Sequence, residues 1–392
     1  MKNNTSSVSG GERIAIDCRL FGSSGIGTFV ESVVKTAVAD EDKFFVLIGD
    51  TDRLRKYADR GNCAVVDCRH RCFSLGEMFC FPTAVVNSCD AFFTPNFNIP
   101  MGIRVPVFST IHDIVFFDTE NFGTRMHRMI IKWYIKRALR VSRAVFTVSE
   151  FSRRRIKDRF KTDADIRVVY NGVNEELREY ASASGVDRCG RDAESRKGLV
   201  FLGNLKKHKG LRTLLEAYAK LSASGDRRPL TIIGNVNFRT KDRETISVLG
   251  HLDGDNNIRC VRNADNQEVY RIISSAEFLV SPSLYEGFGL PPLEALYLGT
   301  NVIISDIPVY KEVYGALKTA ASERGVDELP ITFFKAGDAD DLYAKICESR
   351  FGYVDARAVI DEHYNFERAA KTIVDYICRC TALSSSLCGR ES

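Results

Sequence analysis

Short β-rich runs alternate with amphipathic helical stretches along most of the chain, and that alternation leaves few architectures open. RIAIDCRLF (13–21), FFVLIG (44–49), AFFTP (91–95), VPVFSTIHD (105–113) and AVFTVS (144–149) read as buried strands. Strands separated by helices form parallel sheets covered by those helices. A polar stretch rich in Ser, Arg, Asp and Gly, from about Glu179 to Lys197, then interrupts the pattern. The alternation restarts with GLVFLGN (198–204), LTIIGN (230–235), NIRCV (257–261), EFLVSPS (277–283) and NVIISD (301–306). The restart predicts a second doubly wound domain rather than one longer sheet. A length of 392 residues also exceeds one ordinary core. Ligands of such sheets bind beyond the carboxyl ends of strands, so the crevice between two such domains is the expected site.

Composition excludes several classes. The leading MKNNTSSVSGGER lacks an apolar core segment and reads as a disordered lead rather than a secretion signal. Nowhere do about 18 consecutive apolar residues occur, so no spanning helix is expected. A net charge of +4 is too mild to argue for nucleic acid. The 12 cysteines are scattered without a CxxC pair, which fits reduced thiols of a cytosolic protein. Cys63, Cys68, His70 and Cys72 match no standard zinc spacing and read as core and surface thiols.

The segment SLYEGFGLPPLEALYLG (283–299) suits neither a helix interior nor a strand, because glycine and proline disfavour both. It joins the strand EFLVSPS to the helical LEALYL and therefore lies at the carboxyl edge of the sheet. Pro291 or Pro292 fits a first helical turn. Gly287 and Gly289 let the backbone approach a ligand and turn N–H groups toward an anion, beside a helix N-terminus that favours phosphate. Glu294 is expected in the first helical turn, where a carboxylate can accept two hydroxyl hydrogen bonds from a ribose diol. Glu286 sits on the loop and can reach a second polyol.

This stretch resembles the E-x7-E signature of the retaining GT-B glycosyltransferases of family four. Similarity continues in GNLKKHKGLRTLLEAY (203–218) and SDIPVYKEVYG (305–315), and in SGIGTF (24–29), His112-Asp113, TVSEFS (147–152) and YNGV (170–173). It spans residues 13 to 380, and bacterial polysaccharide enzymes, including many mannosyltransferases, are the nearest group. The resemblance implies a GT-B fold, two Rossmann-like α/β domains facing each other across a cleft. The expected boundaries are a lead (1–12), an acceptor domain (13–173), a nucleotide-sugar domain (174–362) and a C-terminal helix returning to the first domain (363–392). It also implies a hexose transfer from a nucleotide diphosphate sugar, with GDP-mannose favoured, to a glycan or lipid-linked glycan. No cofactor is implied. A non-catalytic GT-B subunit that binds a partner or glycan, a nucleotide-sugar epimerase and a phosphorylase are the alternatives.

Lys206 and Lys209 lie near a helix N-terminus at the sheet edge and suit a diphosphate. By resemblance Lys209 is the diphosphate-binding lysine, while Asn204 stands where many relatives have arginine, so Lys206 replaces that charge. The resemblance places Gly25, with Gly27 beside it, near the donor phosphate and sugar. It gives His112 a positioning or polarising role near the attacking hydroxyl. Donor contacts are thus expected from Gly25, Gly27, Asn204, Lys206, Lys209, Gly287, Phe288, Gly289, Leu290 and Glu294, and catalysis from Glu286, His112 and Lys209. The DxD triplets Asp163/Asp165, Asp253/Asp255 and Asp338/Asp340 read as turn and cap chemistry. No metal is expected where cations, backbone N–H groups and a helix dipole can stabilise the leaving group.

In TRMHRMIIKWYIKRALRVSR (124–143), Arg125, Arg128, Lys132, Lys136 and Arg140 recur at steps of three or four and share a helical face. Met126, Ile130, Trp133 and Tyr134 are expected on an apolar part of the same surface. A second basic run covers Arg153 to Arg155, Lys157, Arg159 and Lys161. Few acidic residues lie nearby, so the expectation is a cytoplasmic protein held peripherally at an anionic membrane surface.

Overall fold

The computed structural model describes residues 11–22, 24–119, 124–183, 196–204, 206–234, 257–326 and 328–388. The lead at 1–10, most of the polar stretch before Lys197, and Asp253/Asp255 fall outside them. The chain divides into two compact units, Met1–Asn171 with Phe366–Ser392, and Gly172–Asn365.

The first unit holds a seven-stranded sheet built from β1 (Arg13–Asp17), β2 (Phe44–Gly49), β3 (Cys63–Asp67), β4 (Ala91–Thr94), β5 (Val107–Thr110), β6 (Ser142–Thr147) and β7 (Ile166–Val168). Every pairing is parallel, in the order β3-β2-β1-β4-β5-β6-β7. The order therefore reverses between β1 and β4. Strands buried on both faces read as continuous apolar runs, and β2 and β4 do so here. The helix Phe366–Cys388 packs on the helix Ser24–Val38. It sets Tyr376 edge-on against Phe108 and Phe146, with ring centroids 6.2 and 6.1 Å away.

The second unit holds a six-stranded parallel sheet of β8 (Leu199–Leu202), β9 (Leu230–Ile233), β10 (Ile258–Val261), β11 (Phe278–Ser281), β12 (Asn301–Ser305) and β13 (Ile331–Phe334). Its order, β10-β9-β8-β11-β12-β13, reverses between β8 and β11. Both units are α/β and doubly wound, as the alternation requires.

All ten runs read as strands contain one, although β1 stops at Asp17 and β5 at Thr110. Three further strands went unread, β3, β7 and β13. Each is a sheet edge and only partly buried.

The carboxyl end of β1 rests on a buried ion-pair network. Arg19 donates to both Asp17 oxygens at 2.8 and 2.7 Å, and its other arm lies 2.6 Å from Glu77 Oε1. Thr94 Oγ1 donates to Asp17 Oδ2 at 3.1 Å. Glu77 further accepts from Asn98 Nδ2 and from the Phe73 amide. The Arg19 and Glu77 side chains are almost wholly buried. Removing one partner from such a network strands a buried charge. Glu77→Ala should lose about 3–5 kcal/mol of stability in urea unfolding. A loss below about 1 kcal/mol would mean that water, not Glu77, neutralises Arg19.

Candidate functional site

In the second unit the strands flanking the reversal, β8 and β11, send their following loops to the same sheet edge. After β8 the chain runs through Gly203, Asn204 and Lys206 into a single 3-10 turn, Lys207–Lys209. Gly210 then turns into the left-handed region at φ +66° and caps the helix Leu211–Ala223. A Cβ on Gly210 would run into the Pro282 carbonyl, so only glycine lets the two loops abut. The Leu284 amide donates to the His208 carbonyl at 2.7 Å and fastens them together.

This abutment sets the central contact. Lys209 Nζ lies 2.7 and 2.9 Å from the two Glu286 oxygens, and Ser283 Oγ donates to Glu286 Oε1 at 2.8 Å. Ser283 is itself held, its carbonyl accepting from Ser305 Oγ. The side chains of Lys209 and Glu286 are 19% and 12% exposed, so the pair is shielded but reachable. Asn204 and Lys206 lie outside it on the exposed rim, where the Lys206 amide donates to Asn204 Oδ1 at 3.3 Å.

Two tyrosines support the glycine loop from below. Gly289, at φ +95°, is the N-cap of the helix Leu290–Tyr297. A side chain there would strike the Tyr310 ring. Tyr314 donates its hydroxyl to the Gly289 carbonyl, and the Tyr310 hydroxyl lies 2.7 Å from Ser281 Oγ. Both tyrosines are fully buried on the helix Pro308–Glu323. Phe288 turns inward, its ring 5.4 Å from that of Tyr364. Of this residue only the backbone can serve a ligand at this edge.

Glu294 is not in the first helical turn. The helix starts at Leu290 and absorbs both prolines, which puts Glu294 one turn further along. Its carboxyl has no hydrogen-bond or ion-pair partner among the described residues, and burial pushes its pKa up to about 7.

The first unit assembles a second group at its own carboxyl edge. Gly25 is exposed in the first turn of the helix Ser24–Val38. Gly27 is buried, and a Cβ there would lie 2.8 Å from the Leu20 carbonyl. Its missing side chain therefore accommodates the Leu20–Gly22 turn. His112 follows β5, stacks edge-on against Phe29 at 5.2 Å and places Nε2 3.0 Å from the Pro95 carbonyl. That acceptor fixes the proton on Nε2 and leaves Nδ1 as an acceptor. Burial lowers the His112 pKa to about 4 against the pull of the Pro95 carbonyl, so the ring is neutral at pH 7.

Ser283, Gly210, Tyr310 and Tyr314 were not read as site residues. Ser283 stands three residues before Glu286, and that spacing was the available signal. Of the DxD triplets, Asp338 caps the helix Ala339–Glu348 by accepting from the Asp340 and Asp341 amides. Asp165 pairs with Arg167 at 2.8 Å. Among the described residues no three His, Cys, Asp or Glu side chains are grouped to hold a metal ion.

The basic segment forms the helix Arg125–Val141. Arg125, Lys132, Lys136 and Arg140 are exposed and Arg128 is half-buried. Met126 and Met129 are each 66% exposed, with Ile130 and Trp133 beside them. Tyr134, expected outside, is buried, because its ring packs against Phe73 at 5.4 Å. The second basic run is partly neutralised, since Arg155 pairs with Asp118 and Arg153 with Glu150. No described helix is long and apolar enough to cross a membrane.

Family models match in two consecutive blocks, the Glycosyltransferase Family 4 model over residues 85–177 and the Glycosyl transferases group 1 model over 190–327. Together they cover more than half of the chain. It belongs to the family-four glycosyltransferases. O-antigen chain mannosyltransferase B of Escherichia coli is 26% identical over 65% of this chain and 67% of its own length. O-antigen chain mannosyltransferase RfbU of Salmonella typhimurium is 27% identical over 52% of this chain and 53% of its own. The chain thus spans between half and two thirds of these relatives. Among solved structures, HepE from Anabaena in complex with UDP and glucose superposes with a TM-score of 0.63 at 15% identity, covering 93% of this chain and 99% of that one. The fold of this glycosyltransferase is GT-B.

The raised pKa of Glu294 has a sign that can be measured. In the unfolded chain the carboxyl ionises at about its usual 4.5, whereas in the folded enzyme it holds its proton to about 7. Folding therefore binds a proton between those values. The stabilisation is complete below 4.5 and lost as pH rises through 7. Glu294→Gln, which cannot ionise, should be about 2–3 kcal/mol more stable than the parent at pH 8 and no more stable at pH 4.5. A pH-independent difference in unfolding free energy would show that Glu294 ionises normally.

Proposed function

We propose that this glycosyltransferase moves a hexose, with retention, from a nucleotide diphosphate sugar to a glycan or lipid-linked glycan hydroxyl. Mannose from GDP-mannose is the favoured donor. The observation that carries the reading is the Lys209–Glu286 pair, set at the reversal of a parallel sheet beside the glycine turn that begins the Leu290–Tyr297 helix. Two chemically opposed groups are then available to the two halves of a sugar nucleotide.

A diphosphate entering this edge competes with Glu286 for the Lys209 ammonium. Once Lys209 turns to phosphate, Glu286 keeps its bond to Ser283 and has lone pairs for sugar hydroxyls. Lys206, the amides of 287–290 and the N-terminus of the Leu290–Tyr297 helix add positive potential where leaving-group charge develops. Glu294, without a partner of its own, accepts the ribose diol. Gly25 admits the donor to the first unit's edge. His112, neutral with Nδ1 unprotonated, orients the acceptor hydroxyl by accepting its hydrogen bond. No metal is required by this arrangement. The mannose preference comes from the two O-antigen mannosyltransferases, and the retaining course from the family resemblance.

Glu286→Ala should lower kcat strongly and leave nucleotide affinity within a few-fold, because it acts on the sugar. Glu294→Ala should weaken nucleotide binding by about 1.5–3 kcal/mol, the worth of a hydrogen bond to a charged group. Calorimetry with nucleoside diphosphate, alongside turnover of the nucleotide sugar, separates the two. Parental behaviour of both variants in both assays would refute the assignment. Slow hydrolysis of donor without acceptor distinguishes an enzyme from a binding subunit.

The exposed Met126, Met129, Ile130 and Trp133 beside Arg125, Lys132, Lys136 and Arg140 support peripheral attachment to anionic lipid on the cytoplasmic side. Each basic residue near such a surface contributes about 1 kcal/mol, and the attraction is screened by salt. Vesicles containing phosphatidylserine should sediment the protein at low salt and release it at high salt. Equal recovery in the supernatant with anionic and neutral vesicles at low salt would argue against attachment.

A further inference from the structure

The first unit carries a recess of about 630 Å³ lined by Arg143, Arg167, Tyr376, Arg379 and Cys380. None of these residues belongs to the Lys209–Glu286 group or the His112 group. Arg143 is the second residue of β6, at the amino end of the strand, whereas His112 follows the carboxyl end of the parallel neighbour β5. The recess and the His112 group therefore lie toward opposite edges of the sheet.

Its chemistry is that of a prepared anion site. The Arg167 guanidinium lies over the Tyr376 ring, 3.8 Å from the centroid, and its Nε donates to Asp165 Oδ2 at 2.8 Å. The Tyr376 hydroxyl donates to the same oxygen at 2.9 Å. Stacking and ion pair together fix this side chain, with Nε turned to the carboxylate. Arg143 and Arg379 are exposed and have neither an ion pair nor a hydrogen bond among the described residues. Three guanidinium groups thus surround one recess beside a single paired carboxylate. Their mutual repulsion is relieved by a compact anion, and the planar fork of arginine matches phosphate oxygens two at a time.

We propose that this recess binds a phosphate group, presented as inorganic phosphate or as a phosphate monoester. The site is separate from the diphosphate cradle at Lys206 and Lys209. It does not depend on the donor assigned above.

The test is calorimetric titration of the full chain at low ionic strength with inorganic phosphate and, separately, with glycerol phosphate. Three variants accompany the parent: Arg143→Gln with Arg379→Gln, Arg167→Lys, and Lys206→Ala with Lys209→Ala. The glutamine substitutions fall on exposed residues and should leave thermal unfolding unchanged. The proposal expects binding that survives the lysine substitutions and weakens about tenfold or more in the glutamine double variant, the scale of losing one or more charge-assisted contacts. Arg167→Lys should weaken it as well, because charge remains but the fork is lost. Tighter binding of glycerol phosphate identifies a monoester as the occupant, and tighter binding of inorganic phosphate identifies the free anion. Unchanged binding in the glutamine variant, binding abolished by the lysine substitutions alone, or heats no larger than those of chloride would each overturn the proposal.

Discussion

The contact on which the candidate site depends is backbone against backbone. Gly210 lies so close to the Pro282 carbonyl that no side chain fits between them. These two points follow β8 and β11, the strands between which the sheet order reverses. At such a reversal the following loops diverge to opposite faces and leave a crevice. Here a glycine lets them meet at its base, and the Leu284–His208 hydrogen bond holds them there. Lys209 then precedes the glycine on one loop and Glu286 follows the contact on the other, which brings the ammonium and carboxylate within 2.7 Å.

That pair explains why the site can be both stable and receptive. A surface ion pair contributes little, and a fully buried one can cost more in desolvation than it returns. Lys209 and Glu286 lie between these limits, each neutralising the other. An anion can take over the lysine without leaving the glutamate unsatisfied, since Ser283 still donates to it. Glu294 is treated differently. It has no partner among the described residues, and burial favours its neutral form near neutrality. A buried carboxylate without a compensating partner costs stability when it ionises.

The sequence shows the sheet centres and one edge, β10, but not the other three edges or the aromatic supports. β2, β4, β11 and β12 are buried on both faces and read as uninterrupted apolar runs. β7 has an arginine at its centre and only three residues, so its pairing with β6 makes it a strand where its pattern does not. SLYEGFGLPP stands out as a connecting loop because its glycines and prolines suit neither a helix interior nor a strand, and the structure gives Gly289 to the close approach of Tyr310 and both prolines to the start of the Leu290–Tyr297 helix. Tyr310 and Tyr314 could not be read as supports, because aromatic residues at a helical step of four look like ordinary core. Glu294 was placed a turn too early for a local reason. The prolines marked the first turn, yet the helix already begins at Leu290. Tyr134 was assigned to the surface by helical periodicity alone, and the neighbouring Phe73 covers it.

Phe73 joins the buried and exposed chemistry of the first unit. It adopts φ +65°, a left-handed conformation that is unusual for a bulky side chain. Two contacts hold it there. Its amide donates to the Glu77 carboxylate, and its ring packs against Phe97 and Tyr134 at 5.5 and 5.4 Å. Glu77 is the same carboxylate that neutralises Arg19 behind β1. Tyr134 belongs to the helix that carries the exposed Met126, Met129, Ile130 and Trp133. A strained residue persists only where its surroundings over-determine it. Here a buried ion-pair network on one side and an aromatic cluster on the other fix Phe73, while Ile131, Tyr134, Ile135, Ala138 and Leu139 seat the apolar, basic helix in the core. Phe73 thus touches both the Glu77 carboxylate behind β1 and the buried face of that helix.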